Sequence, residues 1–155
     1  MQLSKNLAKL FRDVHYGGNW TTSSLKQHLS DVTWKEAIQK IDSLNTIIIL
    51  TNHINYYVFE VTKVLQGGPL LAKDELSFNH PPINSDEDWQ QILTKAWADA
   101  DLFASLVEQL PDEKLWEVFV DPKYGNYYRN IAGIIEHTHY HLGQIVLIKK
   151  IIRGK

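Results

Sequence analysis

His137 and His141 stand four residues apart in the run Ile134-Ile-Glu-His-Thr-His-Tyr-His-Leu-Gly-Gln-Ile-Val-Leu-Ile148. On a helix that spacing places both imidazoles on one face, a turn apart. Counting about 100° per residue from Glu136, they fall near 100° and 140°, beside Ile134, Ile145 and Ile152 at roughly 160° to 180°. The pair therefore faces the interior. Glu136 and His139 fall near 0° and 300° on the same count, on the far side. Two imidazoles entering an apolar interior need hydrogen-bond partners or a metal, because an unsatisfied buried polar group is costly.

One helix supplies only part of a coordination shell, and His53 is the natural third ligand. It lies in Ile47-Ile-Ile-Leu-Thr-Asn-His-Ile-Asn-Tyr-Tyr-Val-Phe-Glu-Val61, at the edge of the stripe formed by Leu50, Ile54, Tyr57, Val61 and Val64. Three neutral imidazoles with one or two open positions suit Zn²⁺, Ni²⁺ or Fe²⁺. The competing reading makes each a core or boundary histidine bonded to a carbonyl or hydroxyl.

The elements that must position these residues are helices. Leu3, Leu7, Leu10, Phe11 and Val14 predict a first helix ending near Gly17-Gly18. His15, at its C-terminal end, reads as a capping or surface histidine, with a pocket role as the alternative. Short helices follow, one with Leu25 and Leu29 and one opened by a Thr33/Glu36 capping box and running toward Ile41. His28 has no partner at ligand spacing and reads as surface. The second long helix is expected from Asp42 or Ser43 to Leu65, stopping at Gly67-Gly-Pro69.

A long crossover with Pro81 and Pro82 leads to Ser85-Asp-Glu-Asp88, which opens the third long helix. Trp89, Leu93, Ala96, Ala100, Phe103, Val107 and Leu110 form its apolar seam, and Pro111 ends it. A short turn or helix over 111–116, an extended piece over 117–120 and a turn over 121–126 precede the last helix, expected from about Arg129 to Arg153. Tyr124, Tyr127 and Tyr128 are placed to roof a pocket there. The fold class is an all-α four-helix bundle in a single domain over residues 1–155, with a long crossover between helices two and three and short helices between one and two.

At 155 residues with a formal charge of −2, the chain gives no electrostatic case for nucleic acid. No secretory signal and no bilayer-spanning apolar stretch are visible, so cytoplasmic residence without membrane association is expected. The absence of cysteine rules out disulfides, thiolate ligands and cysteine nucleophiles. There is no phosphate loop, His-Glu-x-x-His or nucleophile elbow. A di-iron carboxylate bundle needs two Glu-x-x-His elements, and this chain has only Glu136 with His139.

Asn52-His53-Ile-Asn-Tyr56 in helix two and Glu136-His137-Thr-His-Tyr-His141-Leu-Gly-Gln144 in helix four resemble the DinB/YfiT-like superfamily of metal-binding four-helix bundles, over nearly the whole chain. The resemblance assigns a divalent metal to His53, His137 and His141. It also implies S-transfer or isomerisation with a low-molecular-weight thiol such as bacillithiol or mycothiol. In that reading the metal favours the thiolate and presents it to a small electrophile, whereas attack by a metal-activated water is the hydrolytic alternative. A non-enzymatic, metal-stabilised bundle with an interaction role is the third. No acid or base follows from the sequence. Tyr57 and Gln144 are candidates to orient water or substrate, Gly143 is expected to permit close helix approach, and a homodimer is expected for the class.

Overall fold

The computed structural model describes residues 2–154. Helix α1 (Leu3–Tyr16) is followed by α2 (Leu25–Leu29), α3 (Trp34–Ile38), α4 (Ile47–Leu65), the one-turn α5 (Asp74–Ser77), α6 (Asp86–Gln109) and α7 (Tyr127–Arg153). Helices α1, α4, α6 and α7 pack as a four-helix bundle, with α2 and α3 between the first two and a long crossover between α4 and α6.

The helix starts follow from side chains that satisfy orphan N–H groups. Ser24, Thr46, Ser85 and Asn126 each accept a bond from a first-turn amide, and Thr33 with Glu36 forms the expected capping box. Helix α1 has no local cap. Its Leu3 and Ser4 amides donate instead to the Asp112 carboxylate at 2.8 and 2.9 Å, which ties the end of the bundle together and complements the helix dipole.

The direction of each helix follows from its contacts. Arg12 with Glu108 and Tyr16 with Asp101 set α1 against α6 in opposite senses. Tyr57 beside His137 and His53 beside His141 do the same for α4 and α7. The Trp89 indole donates to the Val32 carbonyl at 2.8 Å, and Arg153 donates to Asp31 and Glu36. The start of α6 and the end of α7 therefore meet beside α3. Helices α4 and α6 run parallel, so the chain must return the length of the bundle between them. That return passes along α4: the Lys73 amide donates to the Tyr56 hydroxyl, Tyr57 donates to Asp74, and the Asn52 amide reaches the Ser77 and Asn79 carbonyls.

Phe11 and Phe103 meet at 4.4 Å between ring centroids, with Leu50, Val58, Trp89, Ile131 and Ile145 buried in the same core. Each such side chain contributes roughly 1.5–3 kcal/mol through burial.

Several expectations need correction. Helix α4 begins at Ile47, not at Asp42 or Ser43, because Thr46 is its cap and Asp42 adopts φ +42°, outside helical space. Helix α3 stops at Ile38 rather than reaching toward Ile41. Helix α7 begins at Tyr127, two residues early, because Asn126 caps it. His15 is neither a cap nor on the surface: it is buried, with Nδ1 donating to the Phe11 carbonyl at 2.9 Å. His28 is half-buried, bonded to Ser23. Leu10 is exposed, and Gly143 permits no close approach, since nothing lies within 4 Å of where its Cβ would stand.

Candidate metal centre

Helix α4 brings His53 to the α7 interface, and α7 presents His137 and His141 one turn apart. The three offer nitrogens that all lie within 4.8 Å of one another, and they are the one such group of three among the described residues. His139 and Glu136 do not join it, in keeping with their position on the helical wheel.

The hydrogen bonds fix which nitrogens are offered. The Ser77 hydroxyl spends its only proton on the Asp74 carbonyl at 2.5 Å, so at 2.7 Å it must accept from His53 Nδ1–H. The lone pair of His53 is then on Nε2. His141 Nδ1 likewise donates to the Gln144 amide oxygen at 2.6 Å, leaving its Nε2 lone pair free. His53 Nε2 and His137 Nε2 stand 3.0 Å apart, and His137 Nδ1 is buried without a partner.

Burial disfavours the charged form of all three rings. Burial lowers the pKa of His53, with the His141 charge acting in the same direction and Asp74 opposing. Burial, then the charges of His141 and His53, bring His137 down to about 4. Burial also lowers His141, against the Gln144 bond. Neutral imidazoles with oriented Nε2 lone pairs are the form that binds divalent transition metals, and the Nδ1 partners of His53 and His141 supply the outer support such ligands need. The donor set fits the ion.

Phe78 stacks on His53 at 4.3 Å, and Tyr57 stands edge-on to His53 and His137 at 5.2 and 5.1 Å. The cluster opens into a cavity of about 690 Å³ running along α4 and α7 toward Arg129 and Asn130. Tyr124 lines it. Tyr127 does not, being buried edge-on to Phe119, and Tyr128 stacks on Trp116 outside. Glu136, though away from the ligand face, lies on the cavity wall. Burial, then the bond to Asp74, pushes the Tyr57 hydroxyl up to about 12, so it remains a proton donor to that carboxylate.

Sequence reasoning found the three histidines and named Gln144, but missed Ser77, Phe78, Asp74 and Arg129. The first three come from the crossover, which has no periodicity to assign a face. The run Asp-Glu-Leu-Ser at 74–77 carries first-turn acids, the one local signal for α5.

The fold and site define a helical bundle with a histidine cluster suited to a divalent metal ion. No family model matches the chain, and no curated protein or solved structure matches it. No described helix is long and apolar enough to cross a membrane.

Proposed function

We propose that His53, His137 and His141 hold a divalent ion of the Zn²⁺, Ni²⁺ or Fe²⁺ class and that the chain is a DinB/YfiT-like, thiol-dependent transferase. The observation that carries this reading is the pair of committed Nδ1 atoms. Ser77 and Gln144 occupy Nδ1 of His53 and His141 and leave their Nε2 lone pairs free, in a three-histidine cluster at the end of a cavity.

A bound divalent ion supplies the positive charge that favours the thiolate of a low-molecular-weight thiol over its neutral form. The chain's own groups do the rest. Asp74, exposed at the cavity wall with Tyr57 donating to Oδ1, is the carboxylate placed to take the thiol proton. Tyr57 holds that carboxylate in place. Phe78 covers one face of His53 and limits water at the cluster. The sulfur then bonds to the electrophilic carbon of the second substrate as its leaving group departs.

Elemental mass spectrometry on purified chain, beside His53→Ala and His141→Ala, tests the ion. Near-stoichiometric metal in the wild type, lost in both variants, is the expected result. A cobalt-substituted sample should change its visible spectrum on thiol addition. A folded wild type that takes up neither zinc nor nickel would overturn the metal, and a spectrum indifferent to thiol would overturn the transferase.

A further inference from the structure

Two of the chain's three arginines are held by carboxylates, Arg12 by Glu108 and Arg153 by Asp31 and Glu36. Arg129 has no such partner among the described residues, and it lines the cavity that ends at the histidines. Its Nη1 donates to the Tyr124 carbonyl at 3.0 Å, which steadies the guanidinium and leaves its other N–H groups for a ligand. The arm passes over Gly125, where φ is +77° and a Cβ would stand 2.9 Å from Arg129 Cδ. The arginine is thus seated against backbone that only glycine accommodates.

Arg129 and His137 are eight residues apart on α7, ~12 Å along the helix axis. Between them the wall is Gly133, with nothing within 4 Å of where its Cβ would stand, and Ile134. Val61, Leu70 and Phe119 make the rest of this stretch apolar. The cavity's two acids, Asp74 beside Tyr57 and Glu136 next to His137 in the chain, belong to the histidine end. The chain's own charges, with no ion bound, attract a ligand carboxylate at the Arg129 end and repel it at the other, and a divalent ion on the histidines would offset that repulsion.

We infer that the cavity binds an elongated organic carboxylate, its anionic head on Arg129, its hydrocarbon over Gly133 and Ile134, and its far end at the three histidines. That the far end is the electrophile rests on the transferase reading above. The binding itself rests on Arg129 and the apolar wall.

The test uses decanoate and decan-1-ol as probes, titrated calorimetrically into the full chain as purified and again after chelation. Wild type should bind decanoate more tightly than decanol in both states. Arg129→Gln should weaken decanoate by about tenfold or more, the loss expected for a charge-assisted bond, and leave decanol unchanged. Arg129→Lys should keep an intermediate affinity, and Gly133→Phe should weaken both probes by filling the mid-cavity. His53→Ala should keep decanoate binding whatever its metal content, which separates this inference from the metal reading. Decanoate binding that disappears in His53→Ala but is indifferent to Arg129→Gln would overturn it, as would equal affinity for the alcohol or no decanoate binding at all.

Discussion

His53 Nε2 and His137 Nε2 face each other at 3.0 Å, with the other nitrogen of His53 already donated to Ser77. Without an ion, this contact requires His137 to supply the proton, since His53 Nε2 has none to give. Were a divalent ion held by both Nε2 atoms in its place, the His137 proton would have to move to Nδ1, which is buried without a partner. The orientation of His53 and His141 depends on the residues behind the rings, Ser77 and Gln144.

The first prediction concerns that support. Ser77→Ala removes the acceptor that holds His53 Nδ1, and Gln144→Ala does the same for His141. Each should lower metal affinity by about 10- to 100-fold while leaving the helix content intact. Competition against a chromophoric chelator measures it. Unchanged affinity in both variants would show that packing by Phe78 and Tyr57, rather than the Nδ1 bonds, orients the rings.

The second follows from His15, whose burial brings its pKa down from 6.5 to about 4. Above pH 6.5 the ring is neutral folded and unfolded, so it adds no pH dependence. Between pH 6.5 and 4 the unfolded chain takes a proton that the folded chain refuses. Stability then falls as pH falls, by at most about 3 kcal/mol from this one group. His15→Gln keeps a polar donor but does not titrate. Urea unfolding at pH 7 and pH 4.5 should show a smaller loss in the variant than in wild type, and an identical loss in both would contradict it.

Much of this bundle is legible because long helices declare themselves by period. The seam from Trp89 to Val107 is buried as its spacing requires, and the four-residue step from His137 to His141 survives as a ligand face. The burial of His15 was not legible, because the dipole argument for a helix C-terminus says nothing about which neighbour covers it. Asp74, Ser77 and Phe78 were hidden for a different reason. They lie on a return segment whose placement follows from α4 and α6 being parallel, a tertiary relationship with no local pattern. Arg129 falls at roughly 20° on the count that puts Glu136 at 0°, on the side read as facing away from the ligands, and the wheel does not show that the cavity wall reaches round to both faces. Gly143 illustrates the converse, a helical glycine that suggested close approach and faces open space instead.

The third prediction tests how α6 is joined to the α2–α3 connection. Trp89 is fully buried and its indole N–H donates to the Val32 carbonyl. Trp89→Phe keeps an aromatic ring but leaves that carbonyl without its donor and some volume unfilled. The cost should be about 1–3 kcal/mol for the unpaired group, with a further increment for the cavity. Urea denaturation at pH 7 reads the sum. A loss below about 0.5 kcal/mol, the range of an ordinary surface change, would mean that the carbonyl finds another donor.

The fourth concerns the turn before α7. Gly125 adopts φ +77° and ψ −149°, a region essentially restricted to glycine. Its missing side chain also makes room for Arg129. Gly125→Ala should therefore do two things at once. Stability should fall by about 1–3 kcal/mol from backbone strain, and decanoate affinity should fall because the Arg129 arm is displaced. Metal uptake should not change, since His137 and His141 lie more than two turns beyond Arg129 on α7 and His53 is on α4. Adding Arg129→Gln to Gly125→Ala separates the two effects: the strain cost should persist, whereas the affinity should drop little further. If Gly125→Ala left decanoate binding at the wild-type level while destabilising the chain, the glycine would serve the turn alone and the seating of Arg129 would have to come from its bond to the Tyr124 carbonyl.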